Sequence, residues 1–145
     1  MNAKEELEKI LTKEADIEGI CENLIRLYSL AEKVTAAMNG EVVSRSRNND
    51  PMGTFLENKE KLLCKINRLQ YEYEQHRDFM YGFVSQLSKP AYKKILYGLY
   101  FNGETLTEVA DKINYSYRHT QDLQDIAIQE LQKIMDGYKI SPKIS

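Results

Sequence analysis

The chain has 145 residues, 42% of them hydrophobic, with three Pro, seven Gly and a formal charge of −2. That is enough apolar material for one modest domain, and the scarcity of Pro and Gly favours an all-helical protein. The charge and a pI near 5.8 exclude a generally basic nucleic-acid binder, so any DNA contact must come from a local patch. No run approaches the ~18 apolar residues of a membrane span. The first residues, Met1-Asn-Ala-Lys-Glu-Glu, are charged without an apolar signal core, so a cytoplasmic location is expected.

From Leu7 to Met38 apolar or small residues recur in a three-four rhythm through Ile10, Ile17, Cys21, Leu24, Tyr28 and Ala31. Leu11, Ile25, Leu27 and Val34 widen the stripe, as for a helix with more than one neighbour. Asn39-Gly40 is a plausible stop, since both residues tolerate the left-handed conformation. The polar stretch from Glu41 to Gly53 carries Pro51 and lacks periodicity, which predicts a loop over about 40–53. Arg45 and Arg47 stand out in it, either solvated or as a phosphate-touching arm.

A second long helix is expected from about Thr54 to Leu87. Its stripe includes Phe55, Leu62, Ile66, Leu69, Tyr73 and His76, and continues through Met80, Phe83 and Leu87. Sustained three-four spacing predicts coiled-coil-like packing, most simply as a long antiparallel hairpin over 1–87. The seam could also be shared with a second chain, giving a homo-oligomer. Cys21 and Cys64 form no CxxC pair and are expected to be buried, reduced thiols. His76 is expected at the edge of the core rather than as a ligand, because no His, Cys or carboxylate pair has metal spacing with it. Tyr71, Tyr73 and Tyr81 are expected to be packing residues.

The region 88–145 forms the expected C-terminal domain. Ser88 can cap a third helix and Pro90 suits its first turn; the apolar face is Tyr92, Ile95, Leu96, Leu99 and Tyr100, and Asn102-Gly103-Glu104 ends it. Thr105-Leu-Thr-Glu108 has the pattern of a capping box, and Leu106, Val109, Ala110 and Ile113 give the short helix that follows one apolar side. After Asn114-Tyr115, Ser116 can cap a last helix from Tyr117 to about Met135. Thr120, Leu123, Ala127, Leu131 and Ile134 share one face of it, with Ile126 and Ile128 beside them. Tyr117, Arg118, Gln121, Asp122 and Asp125 lie opposite.

Two short amphipathic helices joined by a tight polar turn are the pattern of a helix-turn-helix, whose second helix enters the major groove of DNA. On this reading Ser116, Tyr117, Arg118, Gln121 and Asp122 meet DNA, while Lys112 and the amide end of the helix after Thr105 hold phosphates. Arg pairs with guanine, Gln with adenine, and Asp accepts from cytosine N4. Asp122 and Asp125 would also meet phosphate repulsion. The competing reading is a protein-interaction module. A basic surface joining Arg118 to Lys93, Lys94 and Lys112 favours DNA; an acidic or apolar one favours protein. No nucleophile–base pair, metal cluster or Gly-rich phosphate loop is visible, so neither an enzyme nor a cofactor or metal is expected.

The run Ile95-Leu-Tyr-Gly-Leu-Tyr-Phe101, with Glu104-Thr-Leu-Thr-Glu-Val-Ala110, Asn114-Tyr-Ser116, Arg118-His-Thr120, Leu123, Ala127 and Leu131, resembles sigma-70 region 4. More narrowly, it is similar to the small phage- and prophage-encoded regulators of Firmicutes of the ArpU and RinA type. Their Tyr-Ser-x-x-His-Val-x-x-Leu pattern meets Tyr115, Ser116, His119, Thr120 and Leu123, with Thr120 in place of Val; their acidic-face positions usually carry Lys or Arg. Met52-Gly53 and the loop before it are also similar to that family. The resemblance implies a sigma-70 region 4-like helix-turn-helix after a helical hairpin. It implies transcription regulation in a bacterial host, with double-stranded DNA and RNA polymerase as partners.

Overall fold

The computed structural model describes residues 1–39 and 51–140. Gly40, Arg45 and Arg47 lie outside them, as do the side chains of Val34 and Met38. The protein is all-α: among the described residues there is no strand. Helices α1 (Ala3–Asn39) and α2 (Pro51–Val84) are long. Shorter ones follow: α3 (Pro90–Leu96), a π-helical turn (Tyr97–Phe101), α4 (Leu106–Ile113) and α5 (Tyr117–Ile140). None is long and apolar enough to cross a membrane.

Two boundaries differ from the sequence reading for reasons of local chemistry. Helix α2 begins at Pro51, not Thr54. A proline at the first helical position lacks only an N–H that no helix would use there, so it opens a helix as readily as it breaks one. The expected loop thus loses Pro51, Met52 and Gly53 to α2. At the other end α2 stops at Val84. The chain then tightens, with the Gln86 and Leu87 amides donating to the carbonyls of Phe83 and Val84 at 3.0 and 3.1 Å.

The chain divides into two compact units, Met1–Lys13 with Tyr73–Ser145, and Glu14–Glu72. The division crosses both long helices, whereas the sequence reading placed its one boundary at residue 87. In the first unit the opening turns of α1 bury Ala3, Leu7 and Ile10 in the same core as Met80, Phe83 and Val84 of α2. Polar groups fasten these ends. The Ala3 amide donates to Gln132 Oε1 at 2.6 Å, Gln132 Nε2 donates to the Met1 carbonyl at 2.8 Å, and His76 Nε2 lies 2.8 Å from the Glu6 carbonyl. His76 is therefore the half-buried core-edge residue its place on the stripe predicts.

Helix α3 uses Pro90 in its first turn as expected, but its cap position is Lys89 and carries no side-chain bond. Ser88 is occupied elsewhere: its amide and hydroxyl both donate to the Glu130 carboxylate, at 2.5 and 2.8 Å, tying the α2–α3 junction to α5. After Leu96 the helix widens by one residue, and the Asn102 amide donates to the Tyr97 carbonyl at 2.9 Å. The wider turn lets the consecutive residues Tyr100 and Phe101 both reach the core, each 6% exposed.

Helix α5 buries Thr120, Ala127, Leu131 and Met135, with Leu123, Ile128 and Ile134 half-buried beside them. Ile126, expected near this face, is instead 44% exposed, and the helix runs on to Ile140. Tyr81 stacks on Tyr97 at 5.0 Å, and Arg77 lies over the Phe101 ring at 5.2 Å.

In the second unit, depressions join Leu27 and Leu30 of α1 to Leu62 and Asn58 of α2, and Ala31 to Phe55 and Met52. The two helices therefore run antiparallel here. The Tyr28 and Phe55 rings meet edge to face at 5.4 Å. Cys21 is half-buried and Cys64 is exposed, correcting the expectation of two buried thiols; Cys64 lies on the face of α2 away from its stripe. Tyr71 is also exposed rather than packed.

At Gly98 the π-helical turn comes close to α4 and Glu104. A Cβ built there would stand 2.7 Å from both Val109 Cγ2 and Glu104 Oε1. Val109 is buried and cannot retreat. Gly98→Ala is expected to destabilise the protein by about 1–3 kcal/mol, as overpacking does in tight cores. Urea denaturation measures it, and an unchanged midpoint would show that the π-helical turn yields without cost.

Candidate functional site

The site is the α4–turn–α5 segment, and its shape is set by three caps. At the start of α4 both halves of the capping box are present: the Thr105 amide donates to Glu108 Oε1 at 2.9 Å, and the Glu108 amide donates to Thr105 Oγ1 at 3.2 Å. These bonds hold the Glu108 carboxyl below its usual range, the backbone bond from Thr105 contributing most and Lys112 adding a smaller pull. At the end of α4, Asn114 takes the left-handed conformation, φ 61° and ψ 39°. It is the one non-glycine residue with positive φ among those described, and Asn adopts this conformation more easily than most residues. The Tyr115 amide then donates back to the Ala110 carbonyl at 3.0 Å.

Ser116 opens α5. Its hydroxyl accepts from the His119 amide at 3.1 Å, as an N-cap should. Its carbonyl accepts from both the Thr120 amide, at 2.9 Å, and the Thr120 hydroxyl, at 2.8 Å. Thr120 is fully buried, and that hydroxyl bond is what makes a polar side chain acceptable there. The Tyr115 ring lies 4.9 Å from that of His119, across the turn.

Every other residue from Asn114 to Asp122 is exposed, including Ser116, Tyr117, Arg118, Gln121 and Asp122. The structure therefore brings these five expected site residues together on the outer surface of the first two turns of α5. Asp125 is exposed one turn further on.

Thr105 and Lys112 are placed on α4, where both are engaged. Thr105 serves the capping box, so its own amide and that of Glu108 are satisfied within the chain, and a carboxylate already stands at that helix end. Lys112 pairs with Glu104, whose amide donates to the Gly98 carbonyl at 2.8 Å. Arg118 Nε lies 3.9 Å from Asp122 Oδ1, with the two side chains 86% and 61% exposed. Such a pair is weak and opens readily to a better partner.

Sequence reasoning missed Glu104 as the partner of Lys112. The signal was Gly98, a helix-interior glycine whose missing side chain leaves room for Glu104. Arg45 and Arg47, the other candidate phosphate contacts, lie outside the described residues. No group of His, Cys, Asp or Glu is placed to hold a metal ion among the described residues. No family model, no curated protein and no solved structure matches the chain.

The lowered carboxyl of Glu108 sets a pH signature. A carboxyl depressed in the folded state stabilises the fold above its unfolded value and loses that contribution as pH falls through the folded one. Wild type is expected to be more stable than Glu108→Ala at neutral pH. The gap should narrow as pH drops through and below the ordinary carboxylate range. Denaturant midpoints of both proteins across that range check this, and a constant gap would remove the ionised box as its origin.

Proposed function

We propose that α4, the Asn114–Ser116 turn and α5 form a sigma-70 region 4-like helix-turn-helix that binds double-stranded DNA, and that the protein is a transcription regulator of phage type. The observation that carries this reading is the segregation on α5. Thr120, Ala127, Leu131 and Met135 are buried, while Tyr117, Arg118, Gln121 and Asp122 stand exposed on its first two turns. A recognition helix needs this arrangement, a rigid inner stripe and free side chains at its N-terminal end. The three caps support it by fixing the angle at which α5 leaves α4.

Arg118 is the pivotal residue. It is the only Lys or Arg between Lys112 and Lys133. In complex it exchanges its weak pairing with Asp122 for guanine or phosphate, and Gln121 beside it reads adenine. Thr105 and Lys112 flank the phosphates in this arrangement, and Lys112 must leave Glu104 to do so.

A second reading is favoured by the charges. Glu108, Asp111, Asp122 and Asp125 are all exposed on α4 and α5, and both Lys112 and Arg118 face a carboxylate. This surface also suits a basic patch on a protein partner in place of DNA, RNA polymerase being the partner the resemblance implies.

Titration of a selected duplex and a random one by fluorescence anisotropy separates the two. If Arg118 pairs bidentately with guanine, Arg118→Ala is expected to cost about 1–3 kcal/mol on the selected duplex and to relax discrimination at that base. If it meets only phosphate, the loss is independent of sequence and the salt dependence falls by about one counterion. Asp122→Asn is expected to tighten binding to both duplexes by relieving repulsion. No change in either variant moves the function to the protein-partner reading.

A further inference from the structure

We infer that Tyr81 and Tyr97 form a modification site, which a one-electron oxidant of the peroxidase class converts to a dityrosine that staples α2 to the π-helical turn. The inference is independent of what α5 binds. Both residues belong to the unit built from Met1–Lys13 and Tyr73–Ser145. Their rings lie nearly parallel, 5.0 Å apart between centroids and 19° between planes. The Phe79, Phe83 and Tyr138 rings of the same unit meet edge to face instead.

The pair is held in place. Phe101 meets both rings edge-on, 5.4 Å from Tyr97 and 6.0 Å from Tyr81. Phe101 is itself buried, with the Arg77 guanidinium over its ring. Tyr97 precedes Gly98, whose backbone packs closely against Val109 and Glu104. Burial pushes the Tyr97 phenol up to about 12, and the Tyr81 phenol adds to that rise, so the two hydroxyls are neighbours. Stacked rings with neighbouring hydroxyls set the carbons ortho to those hydroxyls face to face. Tyr97 is half-buried whereas Tyr81 is 51% exposed, so an oxidant reaches the pair from the Tyr81 side.

The chemistry follows from that geometry. Each phenol gives one electron to the oxidant and its hydroxyl proton to solvent. The phenoxyl radicals left behind carry much of their unpaired spin on the ortho carbons. Pairing of the two spins makes a carbon–carbon bond between the facing π surfaces, an approach that a stacked pair offers and an edge-to-face pair does not. The hydrogen on each joined carbon then passes through solvent to its oxygen, and both phenols are restored. The protein loses two hydrogen atoms in all, and the peroxidase reduces one hydrogen peroxide to two waters. The exposed Tyr81 ring is free to swing into the twisted biaryl of the product. The new bond closes the chain between Tyr81 and Tyr97 into a loop, which removes entropy from the unfolded state.

The test treats the full chain, at low micromolar concentration, with a haem peroxidase and hydrogen peroxide, and isolates the uncrosslinked-size monomer by size exclusion. That monomer is expected to show dityrosine fluorescence, to be lighter by two hydrogen atoms, and to yield on digestion a joined peptide pair containing Tyr81 and Tyr97. Its urea midpoint is expected to rise. Tyr81→Phe and Tyr97→Phe keep the stacked rings but each removes a phenol, and each is expected to abolish the monomer's dityrosine while helical circular dichroism is retained. Tyr71→Phe, at an exposed tyrosine outside the pair, is expected to leave it unchanged. Dityrosine confined to larger species overturns the inference. So does a monomer joined through other tyrosines, or one whose dityrosine persists in either variant of the pair.

Discussion

The buried stripe of α5 is the constraint on which the rest of its unit depends. Thr120, Ala127, Leu131 and Met135 run along some four turns of one helix, and the other elements of that unit are anchored to it or to the core it shares. Gln132 binds the start of α1 and Glu130 binds Ser88, so the polar flanks of the same helix fasten what its apolar stripe packs. Small residues matter at the crossings. Ala127 and Ala110 let helices approach, and Gly98 lets the π-helical turn meet Val109. A helix held this firmly along one side can carry exposed polar residues on the other without losing its place.

That division of labour also sets the electrostatics of the exposed end. Lys112 and Arg118, the cations of α4 and of the first turns of α5, each stand near a carboxylate in the free protein. The two pairs are unequal. Glu104 is only 18% exposed at its side chain and fixed by its backbone, so Lys112 has a partner held in place. Asp122 is largely solvated and shares a flexible i,i+4 relation with Arg118, a pairing worth a few tenths of a kcal/mol. Arg118 is thus the cation more readily surrendered to a ligand, which is why it, and not Lys112, carries the proposed recognition.

Patterns with a local cause were legible in the sequence. Thr105 and Glu108 need only each other to form the capping box, Ser116 needs only the next turn of backbone, and the α2 stripe from Phe55 to Phe83 follows from helical period alone. What the sequence concealed is long-range. Ser88 has the makings of a cap, and nothing nearby announces that Glu130 takes both its donors. Pro51 looks like punctuation in a polar stretch, though it opens α2. Ile126 and Cys64 were assigned inward from residue type, yet the angular position of each on its helix turns it to solvent. The docking of Ala3, Leu7 and Ile10 with the last third of the chain could not be read from periodicity, because a stripe specifies that a face is buried and not against what.

The uneven burial along α1 and α2 follows from the same principle. Where Leu7, Ile10, Met80 and Val84 have further helices beside them, burial is complete. Where Leu24, Leu62 and Ile66 have only the facing helix, it is partial. The periodicity does not change along either helix; the number of neighbours does. A sequence that maintains an apolar stripe, and sets Ile25, Leu56 and Leu63 beside it, over a length where its own unit supplies one facing helix among the described residues, leaves apolar side chains exposed within that unit. Exposure of that surface is unfavourable at roughly 25 cal/mol per Å². Among the described residues the hairpin is therefore the part that buries its apolar side chains least completely, as Ile25, Leu56 and Leu63 show.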